Sequence, residues 1–116
     1  MWPEPIWVDL KKHIPPPRIE WPDLVQSTGH QNSPALYHPS FRSPEQRCNL
    51  EMQCVRKGSL VKEDEHMRQY YLNVGETIGA SKGQETSYVY AEFLKTGQVH
   101  GRPITEGELQ RKGAQL

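Results

Sequence analysis

The sequence predicts a mostly irregular, extended chain with a few short α-helices and no independent compact globular fold. Three observations lead there. Nine of the ten prolines lie in the first 44 residues, and all three tryptophans lie in the first 21. Apolar residues make up only 34% of the 116, and the mean hydropathy is −0.81. A chain this short already buries a modest share of its surface, so few apolar residues leave little for a core. Its 14 basic residues balance 14 acidic ones, so the chain lacks the high net charge of the usual disordered composition. The expected result is a chain of marginal stability that partners order.

Residues 1–42 read as an extended arm. Each proline fixes φ, removes a backbone donor and biases the residue before it towards extended geometry. The pairs Trp2-Pro3 and Trp21-Pro22, with Trp7 between them, place large aromatic side chains on stiff backbone. Tyr37 and Phe41 follow as a second aromatic pair. Aromatic bodies of this size are costly to leave in water, so Trp2, Trp7, Trp21, Tyr37 and Phe41 are the candidate partner-binding anchors. Pro15-Pro16-Pro17 should be a short polyproline II segment. No two prolines are separated by two residues, so the chain lacks the PxxP core of groove-binding peptides.

Residues 43–74 read as two short capped helices. Ser43-Pro44-Glu45 is a helix start, with a capping hydroxyl, proline at the first helical position and a carboxylate at the positive end. That helix should end at Lys57, with Gly58 as a left-handed cap. Ser59 caps a second helix over 60–74, where Leu60, Met67, Tyr71 and Val74 follow helical spacing. The pair could form an αα-hairpin that buries Met52, Val55, Met67 and Tyr71.

Residues 75–116 read as a glycine-containing loop, an ambiguous element and a short terminal helix. Gly75, Gly79 and Gly83 punctuate residues 75–83. In 86–96, Tyr88, Val89 and Tyr90 suit a strand by propensity. Val89 with Phe93 and Tyr90 with Leu94 suit a helix, which the stop at Gly97 favours. Thr105-Glu106-Gly107-Glu108 is a capping box for a last helix ending at Gly113.

No pattern fixes a reaction. His13, His30, His38, His66 and His100 are scattered, with no partner at metal-ligand spacing, so no metal or cofactor is expected. Cys48 and Cys54 lie about 9 Å apart along a helix, beyond disulfide reach, and read as reduced core residues. Ser33-Pro34 and Ser43-Pro44 could be phosphorylated, but turn and cap chemistry explains them as well. No nucleophile–base–acid set can be assembled, and the expectation is a protein that is not an enzyme and has no small-molecule substrate. Residues 1–58 carry about +1 and residues 59–116 about −1, so there is no basic stripe and nucleic acid is not expected. No apolar run approaches a membrane span and no secretory leader is evident, which reads as an intracellular protein without a membrane partner.

In composition and style, from Met1 to Phe41 and on through Ser43-Pro44, the chain resembles the small microtubule inner proteins of cilia and sperm flagella. That resemblance implies a non-enzymatic structural subunit, bound in extended form along a cytoskeletal filament such as an axonemal doublet microtubule. Tubulin and other axonemal proteins would be its partners. The alternative is a soluble adaptor or inhibitor, docking one partner through C-terminal helices and another through the arm.

Overall fold

The structure is a computed structural model that describes residues Met1–Leu116. It overturns the extended fold class. Eight strands form two sheets, and three α-helices pack on them. The radius of gyration is 13.6 Å, close to the roughly 13 Å of a folded 100-residue domain and far from an extended chain.

The arm is part of the fold. Strand β1 (Ile6–Trp7) pairs in parallel with the start of β8 (Gln98–Ile104), in the register Trp7↔Val99. A 3₁₀ turn at Lys11–His13 follows, and then α1 (Trp21–Ser27), with Pro22 in its first turn. Strand β2 (Leu36–Tyr37) and a second 3₁₀ turn at Pro39–Phe41 complete the segment. The prolines do keep regular elements short, as expected. They do not keep the segment off the rest of the chain.

Helix α2 (Pro44–Lys57) has the expected bounds, but its caps differ from the expected ones. The Ser43 side chain makes no capping bond, and Gly58 has φ −76°, so it is no left-handed cap. It is glycine for want of space: a Cβ there would lie 2.4 Å from the Cys54 carbonyl oxygen and 2.5 Å from that of Tyr71.

The expected helix over 60–74 is instead a hairpin, β3 (Ser59–Glu63) with β4 (Met67–Asn73). Asp64 makes the turn, its carboxylate accepting the N–H groups of His66 (2.7 Å) and Met67 (2.9 Å). That Asx geometry competes with helix, and the run Tyr70-Tyr71-Leu72 prefers pleated surface. No αα-hairpin forms. Residues 75–83 are not simply a loop, because β5 (Gly79–Ser81) and β6 (Gln84–Thr86) form a second hairpin. Its two turn residues, Lys82 and Gly83, both have positive φ, the signature of a type I′ turn. The ambiguous 86–96 segment is strand β7 (Tyr88–Leu94), not helix. Strand β8 was not anticipated, because Pro103 argues against a central strand. It is tolerated because β1 covers β8 only at Gln98 and Val99, leaving Pro103 beyond the paired stretch. Helix α3 (Glu106–Arg111) starts as expected, with the Thr105 hydroxyl and the Glu108 carboxylate each accepting the other's backbone N–H.

The main sheet runs in the order β1-β8-β7-β4-β3, and β2-β5-β6 form the smaller one. Strand alternation sorts the main sheet into two faces. Val89, Ala91 and Phe93 of β7 stand opposite Pro103, Gly101 and Val99 of β8. This face meets α2 in a core built from Tyr37, Leu50, Cys54, Ile78, Val89 and Ala91. On the other face, Tyr90 and Ile104 pack with Leu109 of α3. Helix α1 closes the smaller sheet, with Leu24 against Leu36 and Ala80.

Helix α2 and strand β8 meet at Gly101. A Cβ there would lie 2.3 Å from the Tyr90 carbonyl oxygen and 3.0 Å from the Glu51 side chain. Gly101→Ala should therefore cost about 1–3 kcal/mol of stability. Urea denaturation of the isolated chain checks this, with a cooperative transition for the parent and an earlier midpoint for the variant. Unchanged midpoints would mean that α2 does not press on β8.

Candidate functional site

The outward face of β7 and β8 carries Tyr90 opposite Arg102 and Glu92 opposite His100. Helix α3 covers the Tyr88–Ile104 end, and the polar pairs lie beyond it. The turn at Lys11–His13 faces them. Together they line a cleft of about 130 Å³ that includes Leu10, Lys12, His13 and Lys112. A wider cavity of about 510 Å³ continues past His13 and Arg102 to Ser33, Ser81 and Lys82. Lys12, His13 and Arg102 belong to both.

His13 is buried, with 3% of its surface exposed. Its Nδ1 lies 2.6 Å from the Ala35 carbonyl oxygen. A carbonyl only accepts, so Nδ1 carries the proton and a neutral ring keeps its lone pair on Nε2. Burial is the main cause that brings its pKa down to about 4; Lys12, Arg102 and His100 push the same way, against the Ala35 bond. The ring is therefore neutral at physiological pH.

Tyr90 forms the floor. Its hydroxyl lies 2.7 Å from both the Glu92 carboxylate and the Gln69 side-chain oxygen, and burial together with that carboxylate holds the phenol protonated. The Arg102 guanidinium and the Lys112 ammonium stand 5.3 and 4.9 Å from the centre of its ring. Glu92 also lies 3.7 Å from His100 Nδ1. Glu108 closes the far side. Burial alone would raise its pKa, but the Ser81 hydroxyl (2.7 Å), the Thr105 N–H (3.1 Å) and Arg102 (3.3 Å) together hold it below the usual carboxylate range. Both carboxylates are thus occupied by the chain itself. Lys12, Lys82 and Lys112 have no carboxylate within ion-pair distance.

The five aromatic anchors lie elsewhere, each engaged within the chain. Trp2 packs on Phe93 (5.4 Å between ring centres), with the Arg68 and Lys95 cations 4.3 and 4.7 Å from its ring. The Trp7 indole N–H donates to Glu51 (2.8 Å), and that of Trp21 donates to Glu85. Tyr37 is fully buried and donates to Glu51 (2.6 Å), so its side chain offers no surface to a partner. Phe41 packs beside Tyr37. Cys54 is buried with its thiol towards the Val89 carbonyl, and Cys48 is half-buried; both are free. No group of three or more His, Cys, Asp and Glu side chains is arranged to hold a metal ion, and no helix is long and apolar enough to cross a membrane.

Sequence reasoning did not single out Lys12, Tyr90, Glu92, Arg102 or Lys112, and it took His13 and His100 as unrelated. The one available signal was alternation: Tyr90 with Glu92, and His100 with Arg102, are each two apart and share a strand face. Comparison with protein-family models, curated proteins and solved structures finds no match to this chain.

His13 gives stability a pH dependence. The unfolded chain takes up a proton near pH 6.5, the folded chain only near 4. Stability from the neutral ring is full above pH 6.5 and is lost as pH falls towards 4, by about 3 kcal/mol. Buried Glu51, whose pKa is raised, works in the opposite sense, so the readout is a difference. Denaturation midpoints of the parent should fall more steeply between pH 6.5 and 4 than those of His13→Gln. Parallel curves would mean that the ring is not held neutral.

Proposed function

We propose that this protein binds a phosphate-bearing ligand in the cleft between the Lys11–His13 turn and the outward face of β7 and β8. The observation that carries the reading is the set of three lysines without carboxylate partners, Lys12, Lys82 and Lys112, converging with Arg102 on one concave surface. With Glu92 and Glu108, four cations against two carboxylates leave a formal excess of two positive charges on a protein whose net charge is zero. The walls are almost wholly polar, which suits a charged ligand and not an apolar one. Arginine and lysine in concert are the usual protein answer to phosphate oxygens. The wider cavity beyond Arg102, with Lys82 on its wall, leaves room for a second phosphate.

An extended chain laid along a filament was the premise of the structural-subunit reading, and a folded arm removes it. The adaptor alternative relied on C-terminal helices, where residues 60–74 and 88–94 are mainly strand.

Titration with pyrophosphate, followed by amide NMR, tests the site. Shifts should concentrate on the 10–14 and 100–102 backbone and on Lys112. The double variant Lys12→Ala, Lys112→Ala should weaken binding roughly tenfold, which is about 1.4 kcal/mol. Shifts elsewhere, or an affinity unchanged in the variant, would remove the cleft as the binding site.

A further inference from the structure

We infer that the cleft cleaves the ribonucleotide phosphodiester it binds, with His13 and His100 as the acid–base pair. The inference rests on the phosphate-binding reading and adds a reaction to it. Two imidazoles line one cavity, and the chain fixes each ring differently. The Ala35 carbonyl accepts the hydrogen bond from the His13 Nδ1–H and leaves Nε2 as an acceptor with no protein partner. His100 faces the Glu92 carboxylate through Nδ1, and Glu92 is itself held by the Tyr90 hydroxyl. One ring is set up to take a proton and the other, backed by a carboxylate, to give one.

The side chains of this cavity decide the substrate class. No serine, threonine or cysteine lines the smaller cavity that holds both imidazoles; Ser33 and Ser81 belong to the wider one, and the one hydroxyl here, on Tyr90, is engaged by Glu92 and Gln69. No cluster of ligands for a metal ion is present to activate water. The chemistry that needs least from such a cavity is one whose nucleophile arrives with the substrate, next to the phosphate. The 2′-hydroxyl of a ribonucleotide is such a group, and a deoxyribonucleotide lacks it. His13 Nε2 accepts the 2′-hydroxyl proton as the oxygen attacks phosphorus. The bond from phosphorus to the 5′-oxygen breaks, and that oxygen takes a proton from His100. The products are a 2′,3′-cyclic phosphate and a 5′-hydroxyl, so no oxidant, reductant or further reactant is needed. Lys12, Lys112 and Arg102 oppose the negative charge that builds on the phosphoryl oxygens. The bound phosphate also makes the His13 ring more basic than it is in the empty cleft.

The full-length chain is incubated in EDTA with three labelled 12-mers of random sequence: RNA, DNA and 2′-O-methyl RNA. Cleavage, product ends and binding are followed in parallel. The expected result is cleavage of RNA alone, with cyclic phosphate ends. His13→Gln and His100→Gln should each slow it at least about 100-fold while still binding RNA, and Lys57→Ala, far from the cleft, should cut at the parent rate. Circular dichroism checks that each variant is folded; His100 is partly exposed and outside the buried core, so it decides the matter if His13→Gln unfolds. RNA that is bound but not cut overturns the catalytic inference and leaves the binding site standing. Cleavage of DNA or of 2′-O-methyl RNA, or cleavage untouched by His100→Gln, overturns the assigned chemistry. Failure to bind any of the three overturns the phosphate reading beneath it.

Discussion

Arg47 and Glu51 stand one helical turn apart on α2, both almost fully buried, and most of the fold is tied to them. The Arg47 guanidinium donates to both Asp9 oxygens (3.1 and 3.2 Å) and to the carbonyls of Phe41 and Arg42. The Glu51 carboxylate accepts from the Trp7 indole and the Tyr37 hydroxyl, and meets the Gly101 backbone. A buried charge is tolerable only where hydrogen bonds replace its water, and removing one partner of a buried ion pair such as Arg47–Asp9 typically costs about 3–5 kcal/mol. Here the partners come from the arm, from β2, from the turn before α2 and from β8. These two side chains therefore fix where four separate segments sit relative to one helix. Only the Arg47 Nε lacks a partner.

That constraint also builds the cleft. Trp7 and Asp9 share the α2 side of the arm and are pinned by Glu51 and Arg47. Leu10 and the turn after it are then carried to the opposite side, against His100 and Arg102. The Ala35 carbonyl, next to β2, receives the His13 ring and sets its tautomer. Tyr37, two residues on, is held by Glu51. The buried node and the His13 ring are thus linked through the arm on one side and through β2 on the other. An arm free to move would leave Tyr90, Glu92, His100 and Arg102 as an open polar sheet face with no opposing wall.

The parts legible in sequence were those decided locally. Pro44 at a helix start and the Thr105–Glu108 capping box are chemistry between residues three or four apart, and both helices begin where that chemistry places them. The strands were not legible for the same reason in reverse. Tyr70 and Tyr71 satisfy a helical stripe and a strand equally well, and only pairing with β7 decides between them. Composition misled about the core because charged and polar residues are part of it: Arg47, Glu51 and Gln69 are buried beside the apolar residues. A hydropathy average scores those residues against a fold that they hold together. The tryptophans were read as anchors for a partner because their intramolecular acceptors, Glu51 and Glu85, lie 44 and 64 residues away.

Net charge concealed the cleft in a similar way. Neutrality over the whole chain is a statement about long-range steering, and it constrains nothing about four cations brought within one concavity. What separates the cations from the carboxylates is strand alternation together with local pairing. On β8, Val99, Gly101 and Pro103 turn towards α2, while His100 and Arg102 turn outward, so a single seven-residue strand supplies both core and site. Glu92 and Glu108 offset only part of the cations' charge, Glu108 through its ion pair with Arg102 at 3.3 Å. The lysines that remain, spread over the arm, the β5–β6 turn and the end of α3, have no neighbour of opposite charge. Their positive field is a consequence of where the fold places four cations against two carboxylates, and it does not follow from the composition.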